Sequence, residues 1–131
     1  MSTRTAIFPK HPHALYARHG YSPAILTGDL LFISGMVGAR PDGTPEPDLA
    51  AQVQLAFTSL QQVLSAAGCT FDDVVDVTLF LINPEASLGF VLDEMKKAFP
   101  REPLSNATAV GVTWLSGFQF EIKAIARLPQ K

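Results

Sequence analysis

The chain has 131 residues, of which 47% are hydrophobic and 17% charged, and its formal net charge is −2. This composition is typical of a folded domain with one core and excludes a disordered chain. No segment concentrates lysine or arginine and no apolar run approaches 18 residues, which argues against nucleic-acid binding and a membrane span. We expect one domain over residues 1–131, and the absence of a signal-like N-terminus favours a cytoplasmic location.

The first third of the chain predicts short strands joined by turns. Thr3–Phe8 is a candidate short strand in a proline-rich region. The apolar run Leu30–Ser34, which has glycine on both sides, is typical of a buried strand. A strand over Ala24–Leu26 would pair with this run across a turn at residues 27–29.

An amphipathic helix is predicted next. Asp48 can cap its start, and we expect the helix to run to Ala67. Apolar residues recur at steps of three and four and form one face: Leu49, Val53, Ala56, Leu60, Val63, Leu64 and Ala67. Gly68 stands where a helix end favours a residue that tolerates positive φ.

A central strand and a second helix are predicted after this. The density of β-branched and aromatic residues over Asp72–Ile82 predicts a strand that is buried on both faces at its end. Asn83 followed by Pro84 resembles an N-cap with proline at the first helical position. We expect this helix to run to about Phe99, because Pro100 stops it.

Two further strands are predicted, over Ala107–Val112 and over the alternating segment Phe118–Leu128. The order of elements predicts the α+β class, with two helices packed on one face of a mixed β-sheet. The other face must also be covered, and association of subunits would cover it.

Four segments resemble the RidA/YjgF family of reactive intermediate deaminases, and their order and spacing carry the resemblance. The segments are Gly20–Ala24, Leu31–Gly35, Ala66–Val75 and Phe120–Ala126. The resemblance implies a chorismate-mutase-like fold and a homotrimer with three clefts between its subunits. It also implies a small-molecule ligand and the hydrolysis of reactive enamines and imines, such as 2-aminoacrylate, to 2-keto acids and ammonia.

The resemblance implies roles for particular residues as well. Glu121 matches a glutamate that positions the attacking water. Tyr21 and Ser34 match a tyrosine and a serine that help to line the cleft. A polar position on the second helix falls near Asp93.

One position departs from the pattern of the family. Where active members carry an arginine that grips the substrate carboxylate, this chain has Asn106, and Thr108 replaces a frequent cysteine two residues on. Arginine offers carboxylates a charged fork of donors, whereas asparagine brings no charge. Asn106 therefore argues against efficient turnover of 2-aminoacrylate-like substrates. It leaves open a neutral substrate, a different anion clamp or no chemistry.

Few cations are candidates to replace the arginine. Arg101 lies five residues before Asn106, but we expect the intervening Pro103 to direct it to a loop surface. Arg18 and His19 could reach a neighbouring cleft.

Each candidate residue also has a simpler interpretation. Glu121 and Lys123 share a strand face and could form an ion pair contributing under about 1 kcal/mol. Asn106 and Thr108 share a face and could satisfy backbone groups, and Tyr21 could be an aromatic at the edge of the core. The chain could thus be an enamine or imine hydrolase, or a non-catalytic ligand-binding or regulatory trimer. Nuclease activity, ascribed to some relatives, is the least favoured because of the acidic balance.

No other motif predicts catalytic chemistry. Ser34 has no histidine at a motif spacing, which excludes a serine nucleophile. His11 and His13 flank a proline and favour an exposed loop over a metal site, and Cys69 favours a reduced structural thiol. We expect no metal and no cofactor. Trp114, in a loop, could pack on a partner subunit.

Overall fold

The computed structural model describes residues 3–129, which form a mixed sheet and three α-helices. The strands are β1 (Thr5–Ile7), β2 (Ala24–Thr27), β3 (Leu30–Val37), β4 (Val74–Leu81), β5 (Asn106–Gly111) and β6 (Phe120–Arg127). The helices are α1 (Leu15–His19), α2 (Leu49–Ala66) and α3 (Pro84–Ala98). The strand order is β1-β2-β3-β6-β4-β5, in which β4 and β5 pair in parallel and the other neighbours are antiparallel.

The two long helices cover one face of this sheet. Helix α2 contacts β3, β6 and α3, while α3 contacts β4. Side chains alternate between the faces of a strand. The residues that point toward the helices are buried, and they include Leu31, Ile33, Val77, Leu79, Leu81, Phe120, Ile122, Ala124 and Ala126. The expected α+β class and mixed sheet are confirmed.

The opposite side of the sheet, which we call the open face, is only partly buried. Strand pairing and burial place these residues there: Phe32, Asp76, Thr78, Phe80, Asn106, Thr108, Val110, Glu121, Lys123 and Ile125. Phe32 and Val110 are 41% and 38% exposed, which is high for large apolar side chains in the middle of strands. The open face is therefore an apolar surface interrupted by a few polar and charged groups.

The predicted start and end of the first long helix are confirmed. The Asp48 carboxylate accepts a hydrogen bond from the Ala51 N–H at 2.9 Å, and Gly68 has a φ of 78°. The second helix begins at Pro84 with Asn83 at the N-cap position, as predicted, although the Asn83 side chain makes no capping hydrogen bond.

The central strand differs from its prediction in two ways. It begins at Val74 because Phe71–Asp73 forms a 3-10 turn, in which the side chains of Thr70 and Asp73 cap each other's backbone N–H groups. Its end is not buried on both faces: Leu81 is buried, whereas Phe80 on the open face is only half-buried. The helices cover one side of β4 alone.

Helix α1 was not predicted, and it changes the environment of one histidine. The His13 ring stacks on Tyr16 with ring centroids 4.2 Å apart, and its Nδ1 accepts a hydrogen bond from the Leu15 N–H. Burial lowers the pKa of His13. The His13 side chain is thus half-buried and packs against Tyr16, whereas His11 is exposed as expected.

Candidate functional site

Glu121 lies on the open face of β6, between β3 and β4. It pairs with Val37 on one side and with Phe80 on the other. The register between β3 and β6 shifts between Ile33 and Met36, so β3 bulges next to Glu121. The Glu121 carboxyl group fills the space that a side chain at Gly35 would occupy. Gly35, the last residue of the family-like segment Leu31–Gly35, therefore makes room for this carboxylate.

The electrostatic environment of Glu121 is unusual for a strand residue. Burial raises its pKa, and the charge of Lys123 partly opposes this rise. Burial also raises the pKa of Tyr21, and the Glu121 carboxylate raises it further. We use the name bulge cluster for Tyr21, Ser34, Glu121 and Lys123.

Ser34 ties the segment that carries Tyr21 to the bulge. Its hydroxyl donates to the Ser22 carbonyl at 2.7 Å, and its N–H donates to the Pro23 carbonyl at 2.9 Å. Tyr21 packs edge-on against Tyr16, with ring centroids 5.0 Å apart. The hydroxyl of Ser34 is thus committed to the backbone, a positioning contact that the sequence did not reveal.

The sequence pattern suggested that Lys123 could form an ion pair with Glu121. Among the salt bridges of residues 3–129, none joins Lys123 to Glu121. The Lys123 ammonium instead donates to the Ile33 carbonyl over 3.4 Å, a long contact at the edge of the bulge. Its charge therefore stands beside the Glu121 carboxylate without a close ionic partner.

Asn106 and Thr108 share the open face on β5, opposite Asp76 and Thr78 of β4. The Asn106 amide donates to the Asp76 carboxylate over 2.5 Å. Asp76 could not be identified from sequence patterns, because only the register of the β4–β5 pair brings the two side chains together. The Asn106 amide is therefore engaged by an acidic side chain, although an asparagine at the surface could hydrogen-bond to water instead.

Glu121 and Asn106 are on the same face of the sheet but not in one pocket. Glu121 pairs with Phe80, whereas Asn106 pairs with Asp76 four residues earlier on β4 and lies two strands away. At ~3.3 Å per residue and ~4.8 Å per strand, their backbones are about 16 Å apart. One chain thus carries two separate polar groups, the bulge cluster and the pair at Asn106.

The candidate replacement arginines are engaged with other groups. The Arg101 guanidinium is exposed and pairs with Asp72 over 3.3 Å, although both residues border a surface cavity of about 590 Å³ that Asn106 also lines. Arg18 donates to the Asp42 carbonyl at 3.1 Å. The expectation that Arg101 lies on a loop surface is confirmed.

The remaining candidates do not join either group. Asp93 is exposed on α3, on the helix side of the sheet. Cys69 is buried, and burial raises the pKa of its thiol. Within residues 3–129 there is no cluster of three or more metal-ligating side chains, and no helix is long and apolar enough to cross a bilayer.

The fold and the bulge cluster together define a small α+β protein in which a glutamate side chain packs against a bulged strand of the sheet. A family model described as endoribonuclease L-PSP matches residues 11–128. The chain belongs to this family, the RidA/YjgF family, as the four sequence segments predicted.

Similar proteins include a RutC family protein and proteins named as deaminases. The RutC family protein YjgH of Escherichia coli is 56% identical over the full length of both chains. The 2-iminobutanoate/2-iminopropanoate deaminase of Rattus norvegicus is 34% identical over 120 residues, covering 89% of this chain and 84% of its own.

Two solved structures are also similar. That of protein YjgH has a TM-score of 0.93 at 56% identity and covers 99% of this chain and 100% of its own. The Yersinia pestis protein YyfA, described as a Rid-family protein of unknown function, has a TM-score of 0.84 at 30% identity, covering 95% of this chain and 99% of its own.

Proposed function

We propose that this protein hydrolyses a small imine or enamine to a 2-keto acid and ammonia. The observation that carries the proposal is the Glu121 carboxylate, seated on Gly35 at the β3 bulge with a raised pKa. A carboxylate in such an environment is suited to general base chemistry. The likeness to proteins named 2-iminobutanoate/2-iminopropanoate deaminase supports this class of reaction.

The chemistry requires one water molecule and one positioned base. Glu121 accepts a proton from water as the water oxygen adds to the C=N carbon, and it passes this proton to the nitrogen, which gives a tetrahedral carbinolamine. In the second step Glu121 takes the hydroxyl proton of the carbinolamine and delivers it to the nitrogen, so that the C–N bond breaks and ammonia and a carbonyl product are released. Tyr21, whose raised pKa keeps its hydroxyl protonated, can donate a hydrogen bond to the reacting nitrogen.

The proposal includes a homotrimer assembled through the open face. The apolar side chains of this face, with Phe32 and Val110 among them, would be covered by a neighbouring copy. Assembly would also bring the bulge cluster of one subunit near the Asn106 pair of another, which a single chain holds about 16 Å apart. The cleft would exclude water and so favour electrostatic contacts with a small ligand.

The experiment uses 2-iminobutanoate generated from 2-aminobutanoate by an amino acid oxidase, with catalase present. The formation of 2-oxobutanoate is measured against the spontaneous rate without protein. We expect acceleration by the wild type and a loss of about 100-fold or more in Glu121→Gln, because a positioned base typically contributes 10²–10⁴-fold. Glu85→Gln, an exposed change on α3, is the matched control and should retain full activity.

Two outcomes would overturn the proposal. One is a wild-type rate equal to spontaneous hydrolysis, and the other is a Glu121→Gln rate equal to that of Glu85→Gln.

A non-catalytic ligand-binding trimer is the second candidate. The bond between Asn106 and Asp76 favours it, because this position no longer supplies a cation for a substrate carboxylate. Binding of 2-oxobutanoate by a wild type that does not accelerate its formation would select this alternative.

A further inference from the structure

The inference concerns the missing carboxylate clamp and rests on the proposed function. Asn106 is poorly suited to hold an anion. Its amide already donates to Asp76 over 2.5 Å, and the Asp76 carboxylate would repel a second carboxylate placed there. A 2-imino acid bound beside Glu121 therefore needs a positive charge from another part of the chain.

The open face supplies such a charge at Lys123. This residue is two positions from Glu121 on β6, so both side chains leave the same face about 7 Å apart. Lys123 pairs with Thr78 at the centre of the sheet. Arg127 follows the same alternation, but its guanidinium is held by Asp29 over 2.8 Å at the far end of the strand.

The Lys123 ammonium also has hydrogen-bonding capacity to spare. An ammonium has three donors, and here one of them makes a long contact of 3.4 Å with the Ile33 carbonyl. That carbonyl belongs to the bulge on which the Glu121 carboxylate sits. A ligand carboxylate can accept from the remaining donors without breaking a close ion pair.

We propose that Lys123 binds the substrate carboxylate, so that the anion-binding charge lies on β6 beside Glu121 instead of on β5. The carboxylate carbon of a 2-imino acid is bonded directly to the imine carbon. With the carboxylate on Lys123, the imine carbon lies on the side of Glu121, which can then act on a water molecule. Lys123 thus sets specificity for acids, and Glu121 acts on the water.

Binding of 2-oxobutanoate, the stable keto acid, tests this without requiring turnover. Its dissociation constant is measured by NMR titration for wild type, Lys123→Met and Lys97→Met, with 2-oxobutanamide as the uncharged probe. Lys97 is an exposed lysine on α3 and serves as the matched control. We expect Lys123→Met to weaken 2-oxobutanoate binding tenfold or more and to leave 2-oxobutanamide binding unchanged. Lys97→Met should bind both as wild type does.

Lys123→Arg keeps the charge and should retain most of the affinity, which separates a charge effect from a folding defect. Thermal unfolding and molar mass are recorded for every variant. Equal 2-oxobutanoate affinity in Lys123→Met and wild type, or no binding by the wild type, would overturn the assignment. A wild type that binds the acid through Lys123 without hydrolysing imines would refute the deaminase proposal and leave this one standing.

Discussion

The carboxyl group of Glu121 occupies space that exists because position 35 has no side chain. Tyr21 and Lys123 interact electrostatically with this carboxyl group, and Ser34 fixes the local backbone through two hydrogen bonds. A polar residue on an alternating strand is ordinarily solvated. Here the β3 bulge turns such a position into a partly dry site.

Gly35→Ala tests this steric arrangement. The added Cβ would overlap the Glu121 carboxyl group, so the carboxylate must move. We expect imine hydrolysis to fall tenfold or more, because small displacements of a catalytic group are costly. Gly89→Ala on α3 is the control: its Cβ meets nothing within 4 Å, and it should stabilise the fold by about 0.5–1 kcal/mol with unchanged activity. Full activity in Gly35→Ala would contradict the arrangement.

The raised pKa of Glu121 also predicts how stability depends on pH. The folded protein binds this proton more tightly than the unfolded chain, so protonation favours the fold below the ordinary glutamate pKa. This contribution is lost as pH rises through the raised pKa. Glu121→Gln removes the ionisation, so its free energy of unfolding relative to wild type should increase as the pH rises above the ordinary glutamate pKa. Urea denaturation at several pH values measures it, and a difference that falls as the pH rises would refute the prediction.

At the scale of elements, a buried glutamine joins helix α2 to the segment that leads into β6. Gln52 is 3% exposed. Its side chain donates to the Glu46 carbonyl at 2.8 Å and accepts from the Gln119 N–H at 2.7 Å. This contact fixes the start of the strand that carries Glu121.

Gln52→Ala should therefore lower the free energy of unfolding by about 1–3 kcal/mol, because a buried side chain loses two hydrogen bonds. Gln61→Ala, an exposed change on the same helix, should stay within about 0.5 kcal/mol of wild type. Chemical denaturation compares the two. Equal stability of the two variants would show that the Gln52 contacts contribute nothing.

The elements that follow from local periodicity and capping could be predicted from the sequence. The apolar stripe and Asp48 cap of α2 are of this kind, as are the alternation of β6 and the proline that starts α3. Strand β4 starts later than predicted because Phe71–Asp73 forms a 3-10 turn. The sequence of this turn could not be distinguished from the start of a strand.

The candidate site was predicted less completely. Tyr21, Ser34 and Glu121 carry recognisable family motifs, and the structure brings them to one bulge. The contact between Asn106 and Asp76 depends on the register of two strands joined by a helix, which sequence patterns do not reveal. The alternation of β6 predicts only that Lys123 faces solvent, and its contact with the bulged strand β3 is visible only in the structure.

At the scale of the whole molecule, the open face leaves large apolar side chains exposed. Phe32 lies on it opposite Ile125 and is 41% exposed, close to the 43% of Phe90 on α3. Similar exposure on opposite sides of the sheet makes these two phenylalanines a matched pair for testing assembly.

Phe32→Lys should prevent trimer formation, because it places a charge in an apolar interface. Phe90→Lys should leave the trimer intact. Light scattering coupled to size-exclusion chromatography measures the mass, and we expect three times the 14.1 kDa chain for wild type and Phe90→Lys. A monomeric wild type, or a trimeric Phe32→Lys, would contradict assembly through the open face.

The pH dependence of imine hydrolysis tests most directly whether the Glu121 carboxylate acts on water. After subtraction of the spontaneous rate, the wild-type rate should rise with pH to a plateau, with a midpoint above the ordinary glutamate pKa because burial raises it. Glu121→Gln should lack both the rise and most of the rate. A wild-type profile without this rise, or the same profile in Glu121→Gln, would contradict a catalytic role for this carboxylate.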